Sequence, residues 1–237
     1  GSESFAEHVI STSADQVRSV YAADVDSDGD MDVLSASQND DKIAWYENDG
    51  SENFTEHAIS TTADGAVSVY AEDVDNDGDL DILSASILDG KVAWYENNGS
   101  ENFTQHEITT NFNRAVCVYA VDVDGDGDMD VLSASYTLNT IVWYENDGNE
   151  NFTTHVITNT ATGAHSVFAA DVDGDGDIDV LSASYNNDKI DWYENDGSEN
   201  FTDNTISTSA NSARSVYAVD VDGDGDMDVL SASSDDD

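Results

Sequence analysis

The string "DVDGDGDMDV" at residues 122–131 has near copies starting at Asp24, Asp73, Asp171 and Asp220, so one acidic segment recurs five times at a spacing of 49 residues without insertion. A strict period of this length restricts the chain to stacked supersecondary units that bury their apolar faces on one another. One period, residues 19–67, carries four short stretches rich in β-branched and aromatic residues, at 19–25, 32–37, 42–47 and 54–59. Clusters of Asp, Asn, Gly and Ser separate them and read as turns, and no apolar stripe of helical spacing competes. Proline is absent, so the turns rest on Gly, Asn and Asp.

Four antiparallel strands, A to D, repeated every 49 residues match a propeller blade. The expected fold is therefore all-β: a β-propeller of 49-residue four-stranded blades spanning residues 1–237, as one domain or a fragment of one. The motif "WYEN", which marks strand C, occurs four times against five acidic strings, so the fifth blade is incomplete and lacks strand C. The chain opens on a D-type stretch, "SFAEHVI" at residues 4–10, and ends on A and B. Three arrangements are compatible with this: a piece of a longer array, a five-bladed ring with one defective blade, or a homo-oligomer in which a second copy pairs with the exposed edge. Trp45, Trp94, Trp143 and Trp192 on strand C are expected between blades, where burial contributes about 2–3 kcal/mol each. Tyr46, Tyr95, Tyr144 and Tyr193 follow directly and point to the opposite sheet face.

The chain carries 52 acidic against 6 basic residues, a net charge of -46. Such charge alone would favour disorder, but aromatics make up 9% of the sequence and recur with the period, which requires a core. The field repels nucleic acid and anionic membrane surfaces and concentrates cations. No apolar run reaches the length of a membrane span, and no signal peptide is present. Cys117 is the single cysteine and takes the place of Ser19, Ser68, Ser166 and Ser215, as a small strand residue would.

In "DVDGDGDMD" the acids fall at loop positions 1, 3, 5, 7 and 9, with Gly at position 6. Alternate residues of a tight turn converge their oxygens, and Gly permits the left-handed backbone that the turn needs. An oxygen-only set without His or Cys selects Ca²⁺, one ion per repeat. Without a cation the carboxylates would repel one another. An EF-hand is excluded, because position 12 is Ser35, Ser84, Ser133, Ser182 or Ser231 rather than Glu, and strands flank the loop.

A D-x-D-x-D-G-x-x-D loop between two strands of a blade resembles the FG-GAP/VCBS repeat family, to which the integrin α-subunit propeller is related. The resemblance covers essentially the whole chain. It implies side-chain Ca²⁺ ligands at positions 1, 3, 5 and 9 and a backbone carbonyl ligand at position 7. The implied set is Asp24, Asp26, Asp28 and Asp32 with Asp30 in the first loop, and Asp73, Asp75, Asp77 and Asp81 with Asp79 in the second. The third has Asp122, Asp124, Asp126 and Asp130 with Asp128; the fourth has Asp171, Asp173, Asp175 and Asp179 with Asp177. The fifth has Asp220, Asp222, Asp224 and Asp228 with Asp226.

Strand alternation puts the near-identical A–B and C–D turns at one end of the blades and the divergent B–C and D–A connections at the other. All six basic residues sit at or beside the divergent connections. Phe112, Arg114, Tyr136, His165 and Tyr185 are the most distinctive residues there and the candidates for binding a protein or glycan; ordinary drift of unselected loops is the competing reading. His8, His57, His106 and His155 recur with the period, with Asn204 in the fifth equivalent place, and read as scaffold. No catalytic constellation stands out, so a non-enzymatic extracellular or cell-surface module for adhesion or carbohydrate binding is expected. A structural array from a longer surface protein and the scaffold of a polysaccharide-degrading enzyme are the alternatives.

Overall fold

The computed structural model describes residues 6–235. The first sheet is β1 (Val17–Ala23), β2 (Asp32–Ser37), β3 (Lys42–Asn48) and β4 (Phe54–Ser60), and the second is β5 (Ala66–Glu72), β6 (Asp81–Ser86), β7 (Val92–Asn97) and β8 (Phe103–Thr109). The third is β9 (Ala115–Val121), β10 (Asp130–Ser135), β11 (Thr140–Asn146) and β12 (Phe152–Thr158), and the fourth is β13 (Ala164–Ala170), β14 (Asp179–Ser184), β15 (Lys189–Asn195) and β16 (Phe201–Ser207). Strands β17 (Ala213–Val219) and β18 (Asp228–Ser233) form a two-stranded sheet. Each sheet is antiparallel in chain order. Among the described residues there is no helix, and hence none long and apolar enough to cross a membrane.

Strand A starts and ends two residues earlier than the 19–25 expected from the apolar stretch. Asp24 and Val25 already belong to the loop, where the Val25 amide donates to Asp32 Oδ2 at 3.1 Å instead of joining the ladder. The opening D-type stretch also differs from expectation: residues 4 and 5 lie outside the described residues, and 6–10 form no strand. Strand β18 pairs with β17 and no other described strand, so among the described residues no terminal strand is exchanged to close a ring.

The core lies between sheets. Leu34, Ala36, Ile43 and Trp45 of the first sheet pack on Ala66, Val69, Ile82 and Tyr95 of the second. Leu83, Ala85, Val92 and Trp94 repeat the contact one sheet on, against Val118, Val131 and Tyr144. Adjacent Trp and Tyr thus face opposite neighbours, as strand alternation requires. Phe103 and Phe152, each opening the fourth strand of the following sheet, meet Trp45 and Trp94 edge-on at 6.4 Å. Trp192 lacks that partner, because the terminal hairpin has no fourth strand, and it is only half-buried.

The first strands of successive sheets lie side by side, β1 on β5, β5 on β9, β9 on β13 and β13 on β17. Their aromatics form a continuous row, Tyr21–Tyr70–Tyr119–Phe168–Tyr217, with ring centroids 4.4–5.3 Å apart. Identical residues differ only where a neighbour is missing. Leu34, Leu83, Leu132 and Leu181 are 0% exposed and Leu230 is 45% exposed; Val69, Val118, Val167 and Val216 are 4% exposed and Val20 is 66% exposed.

This contrast yields a paired expectation. Leu132→Ala empties a closed site and should cost about 2–5 kcal/mol. Leu230→Ala, at the same repeat position but half in water, should cost less than about 1 kcal/mol. Chemical denaturation of the two variants checks it, and equal losses would contradict the open end.

Candidate functional site

The acidic loops are organised by their own backbone. In the third, Asp122 accepts the Gly125 amide at 2.8 Å and the Gly127 amide at 3.0 Å, Asp124 accepts Asp126 N at 3.1 Å, and Asp126 accepts Asp128 N at 2.9 Å. Gly127, at position 6, has φ 100°, with open space where a Cβ would stand, so conformation rather than room requires glycine. Position 4 is left-handed as well: Gly125 has φ 76°, and Ser27 and Asn76 both have φ 61°. The sequence hinted at this only through the glycines of the last three copies.

Asp130, at position 9, ties the loop to strand C. Its Oδ2 accepts the Val123 amide at 2.9 Å and its Oδ1 the Asn146 amide at 2.8 Å. Asn146 is the Asn of "WYEN", and its side chain donates to Met129 O at 3.2 Å and to Val74 O of the preceding unit at 3.0 Å. Asp32, Asp81 and Asp179 make the same two amide contacts. Asp228 keeps only the loop contact, since no third strand faces it, and it is exposed.

Positions 1, 3 and 9 converge in all five loops. One carboxylate oxygen from each of Asp122, Asp124 and Asp130 lies within 4.8 Å of the others, and the same holds for the equivalent residues of each copy. Position 5 stays outside that cluster: Asp28, Asp77, Asp126, Asp175 and Asp224 each accept the amide of position 7. Asp30, Asp79, Asp128 and Asp177 direct their carboxylates against Gly50, Gly99, Gly148 and Gly197 of the C–D turn, where a Cβ would collide with them. Asp226 has no such turn within the described residues to meet.

The clusters suit a hard divalent cation. Burial, only partly offset by the two amide donors, pushes Asp81 and Asp130 up to about 7, and their charged neighbours, Asp75 and Asp124, are acidic and add to the rise. Asp24 Oδ1 is buried without a hydrogen-bond partner, and every donor in the set is oxygen. Bound there, a cation would neutralise three converging carboxylates and pin each A–B hairpin.

The opposite ends of the A strands surround a cavity of about 340 Å³. Each A strand carries a β-bulge at its second residue, and the residues left out of register are Arg18, Val67, Val116, His165 and Arg214. All five line this cavity. The residues after the B strands complete the wall with Ile87, Tyr136 and Tyr185, joined by Arg114. Arg114 occupies the left-handed position (φ 57°) that is Gly65 and Gly163 in the units on either side. Four of the five residues singled out from sequence thus meet in one place. Phe112 does not: it is buried, edge-on to Tyr144 at 6.3 Å, and belongs to the core between the second and third sheets. Sequence reasoning passed over Arg18 and Arg214 as members of the site, because a bulge has no signature in residue type.

The recurring histidines are structural in placement. His57, His106 and His155 stack on Trp45, Trp94 and Trp143 at 4.5–4.6 Å and bond Glu47, Glu96 and Glu145 at 2.7–2.8 Å. Asn204 makes the same bond to Glu194 at 3.0 Å. His8 stands apart, outside any strand, 3.1 Å from Glu52.

A family profile described as FG-GAP-like repeat matches residues 24–84, 73–133, 122–182 and 171–231, each match running from one acidic loop through the next. The chain belongs to the FG-GAP-like repeat family. A comparison with curated protein sequences finds no match. Among solved structures, this FG-GAP-like chain is similar to an Agrocybe aegerita lectin that recognises non-reducing terminal N-acetylglucosamine (TM-score 0.62, 20% identity, 90% of this chain and 59% of the lectin). It is also similar to a Desulfotomaculum acetoxidans protein of unknown function (0.62, 17%, 90% and 62%). A third likeness is to a biofilm matrix protein of V. cholerae (0.54, 17%, 96% and 37%). At these identities the likeness is one of fold, and the chain spans less than two thirds of each of those proteins.

Two outcomes are expected for the FG-GAP-like loops. Removing bound divalent cation with a chelator should lower the melting temperature, since a ligand at about 100 times its Kd stabilises by about 2.7 kcal/mol per site. An unchanged melting curve after verified metal removal would show that the ion holds nothing together. Ser27→Gly relieves a left-handed residue costing about 1–2 kcal/mol, against about 0.5–1 kcal/mol of added chain entropy, so calorimetry should show a gain of up to about 1 kcal/mol.

Proposed function

We propose that this chain is an arc of a calcium-stiffened β-propeller that acts outside the cell as a non-enzymatic recognition module for carbohydrate. The observation that carries the reading is the contrast between the two ends of the A strands. At one end, five near-identical loops bring together three carboxylates each. At the other, residues from five different units surround one cavity, and there the repeat varies in charge and size: Arg18, Val67, Val116, His165 and Arg214 hold equivalent places, three residue types in five copies. A scaffold that keeps its loops alike and varies one ring of residues matches the division of labour in which rigid elements present a variable binding surface.

Two supports come from outside the chain. The lectin's recognition of terminal N-acetylglucosamine and the matrix protein's place in a biofilm make carbohydrate the first ligand class to test. The blade arrangement is supported by the side-by-side A strands and by the shared cavity they line. A second reading, a structural array from a longer surface protein, draws on the near-identity of the acidic loops, the second strands and the C–D turns from unit to unit.

A glycan array probed with the calcium-loaded chain should show binding that disappears on chelation. A folded, calcium-loaded chain that binds no glycan would favour the structural array instead. Release of product from any bound polysaccharide would overturn the non-enzymatic assignment.

A further inference from the structure

The six basic residues divide into two groups. Lys42, Lys91 and Lys189 each sit beside carboxylates, at 2.7 Å from Glu56, 3.4 Å from Asp89 and 3.2 Å from Asp191. Arg18, Arg114 and Arg214 form no ion pair among the described residues, in a chain with 52 acidic side chains. Neutral groups hold them instead. Arg18 Nε donates to Gln38 Oε1 at 2.7 Å, the Arg114 guanidinium lies 4.4 Å over the Tyr136 ring, and that of Arg214 lies 4.8 Å over Tyr185. Stacked in this way, the guanidinium is fixed in direction; the Arg114 N–H edge is left for a planar anion, and Arg214 commits Nη1 to His165 Nε2 at 3.3 Å and keeps its other N–H groups.

All three arginines line the same cavity, contributed by the first, third and fifth units. Arg18 and Arg214 enter it because the bulges take them out of the strand register, a device that re-aims a side chain beside a functional site. His165 adds no charge to oppose or supplement them. Its Nδ1 donates to Arg214 O at 3.0 Å and its Nε2 faces Arg214 Nη1 at 3.3 Å, which is the arrangement of a neutral ring accepting from the guanidinium. Burial, and next the Arg214 charge, keep His165 below the usual histidine range.

We propose that this cavity binds a saccharide through a carboxylate, with Arg18, Arg114 and Arg214 holding the charge and Val67, Ile87 and Val116 meeting the apolar face of the ring. The inference rests on the carbohydrate reading above and narrows it to acidic sugars. A cavity of about 340 Å³ lies at the small end of ligand sites, near about 300 Å³, which suits an end group rather than a long chain segment. The surrounding field points the same way: at a net charge of -46, a uniformly charged polyanion leaving the cavity would be repelled, whereas a terminal acidic residue on a neutral chain would not.

Calorimetric titration of the calcium-loaded full chain with methyl glucuronide and with its neutral counterpart, methyl glucoside, tests the proposal. The glucuronide is expected to bind at least tenfold more tightly, and Arg114→Ala and Arg214→Ala are each expected to weaken it at least tenfold. Both arginines are exposed, so unchanged melting temperatures should confirm that the variants fold. Equal affinity for the two sugars, or unchanged glucuronide binding in both variants, would overturn the proposal. Glycan-array binding confined to neutral sugars would overturn it while leaving the carbohydrate reading intact; absence of all glycan binding would remove both. Preference for an acidic peptide over the glucuronide would assign the cavity to a protein partner and overturn it as well.

Discussion

The structure depends on a buried carboxylate at the end of each of the first four acidic loops. In the four complete units that side chain has no exposure, and its two oxygens accept one amide from the loop and one from the end of strand C. A charge in such a place is costly unless it is paired, and among the described residues no basic side chain pairs with it. The converging partners at positions 1 and 3 are also acidic, so the loop as a whole calls for a cation. Loop, strand end and, through Asn97 or Asn146, the preceding unit are joined at one point.

From that point the fold grows by repetition. Each sheet has two buried faces, filled alternately by Trp and Tyr, so no unit is complete until a neighbour covers it. The outer face of the first sheet is partly covered by residues 8–14, and Tyr46 is buried there, yet Val17 and Val20 remain exposed. At the other end Tyr217, Val219 and Leu230 are exposed on the terminal hairpin, next to an unpaired β18 edge. These apolar groups are buried at every interior equivalent or half-buried there, which makes the two ends the least self-sufficient parts of the described structure.

Charge is distributed with the same economy. The lysines neutralise individual carboxylates, and the arginines are reserved for a single cavity, held by aromatic rings and amide groups. Converging carboxylates at one end and guanidinium groups without an ion pair among the described residues at the other put opposite charges at the two ends of one set of strands. The A strands and their aromatic row run between the two ends.

The sequence by itself determined whatever depends on neighbours along the chain or on the period. The unit, its strands, the acidic turns with glycine at position 6, and the opposite facing of Trp45 and Tyr46 all follow from residue type and spacing. Tertiary structure decided the rest. Whether Val20 or Val69, or Leu34 or Leu230, is buried depends on an adjacent sheet, and the residues are identical. Phe112 read as a surface loop residue and is core, because the turn folds it back under Tyr144. The cavity was legible only in part: Tyr136, Tyr185, Arg114 and His165 stood out by difference from their copies, whereas Arg18 and Arg214 joined them through bulges. A bulge is a choice of pairing register between two strands, set by how they meet, and no single strand's sequence encodes it.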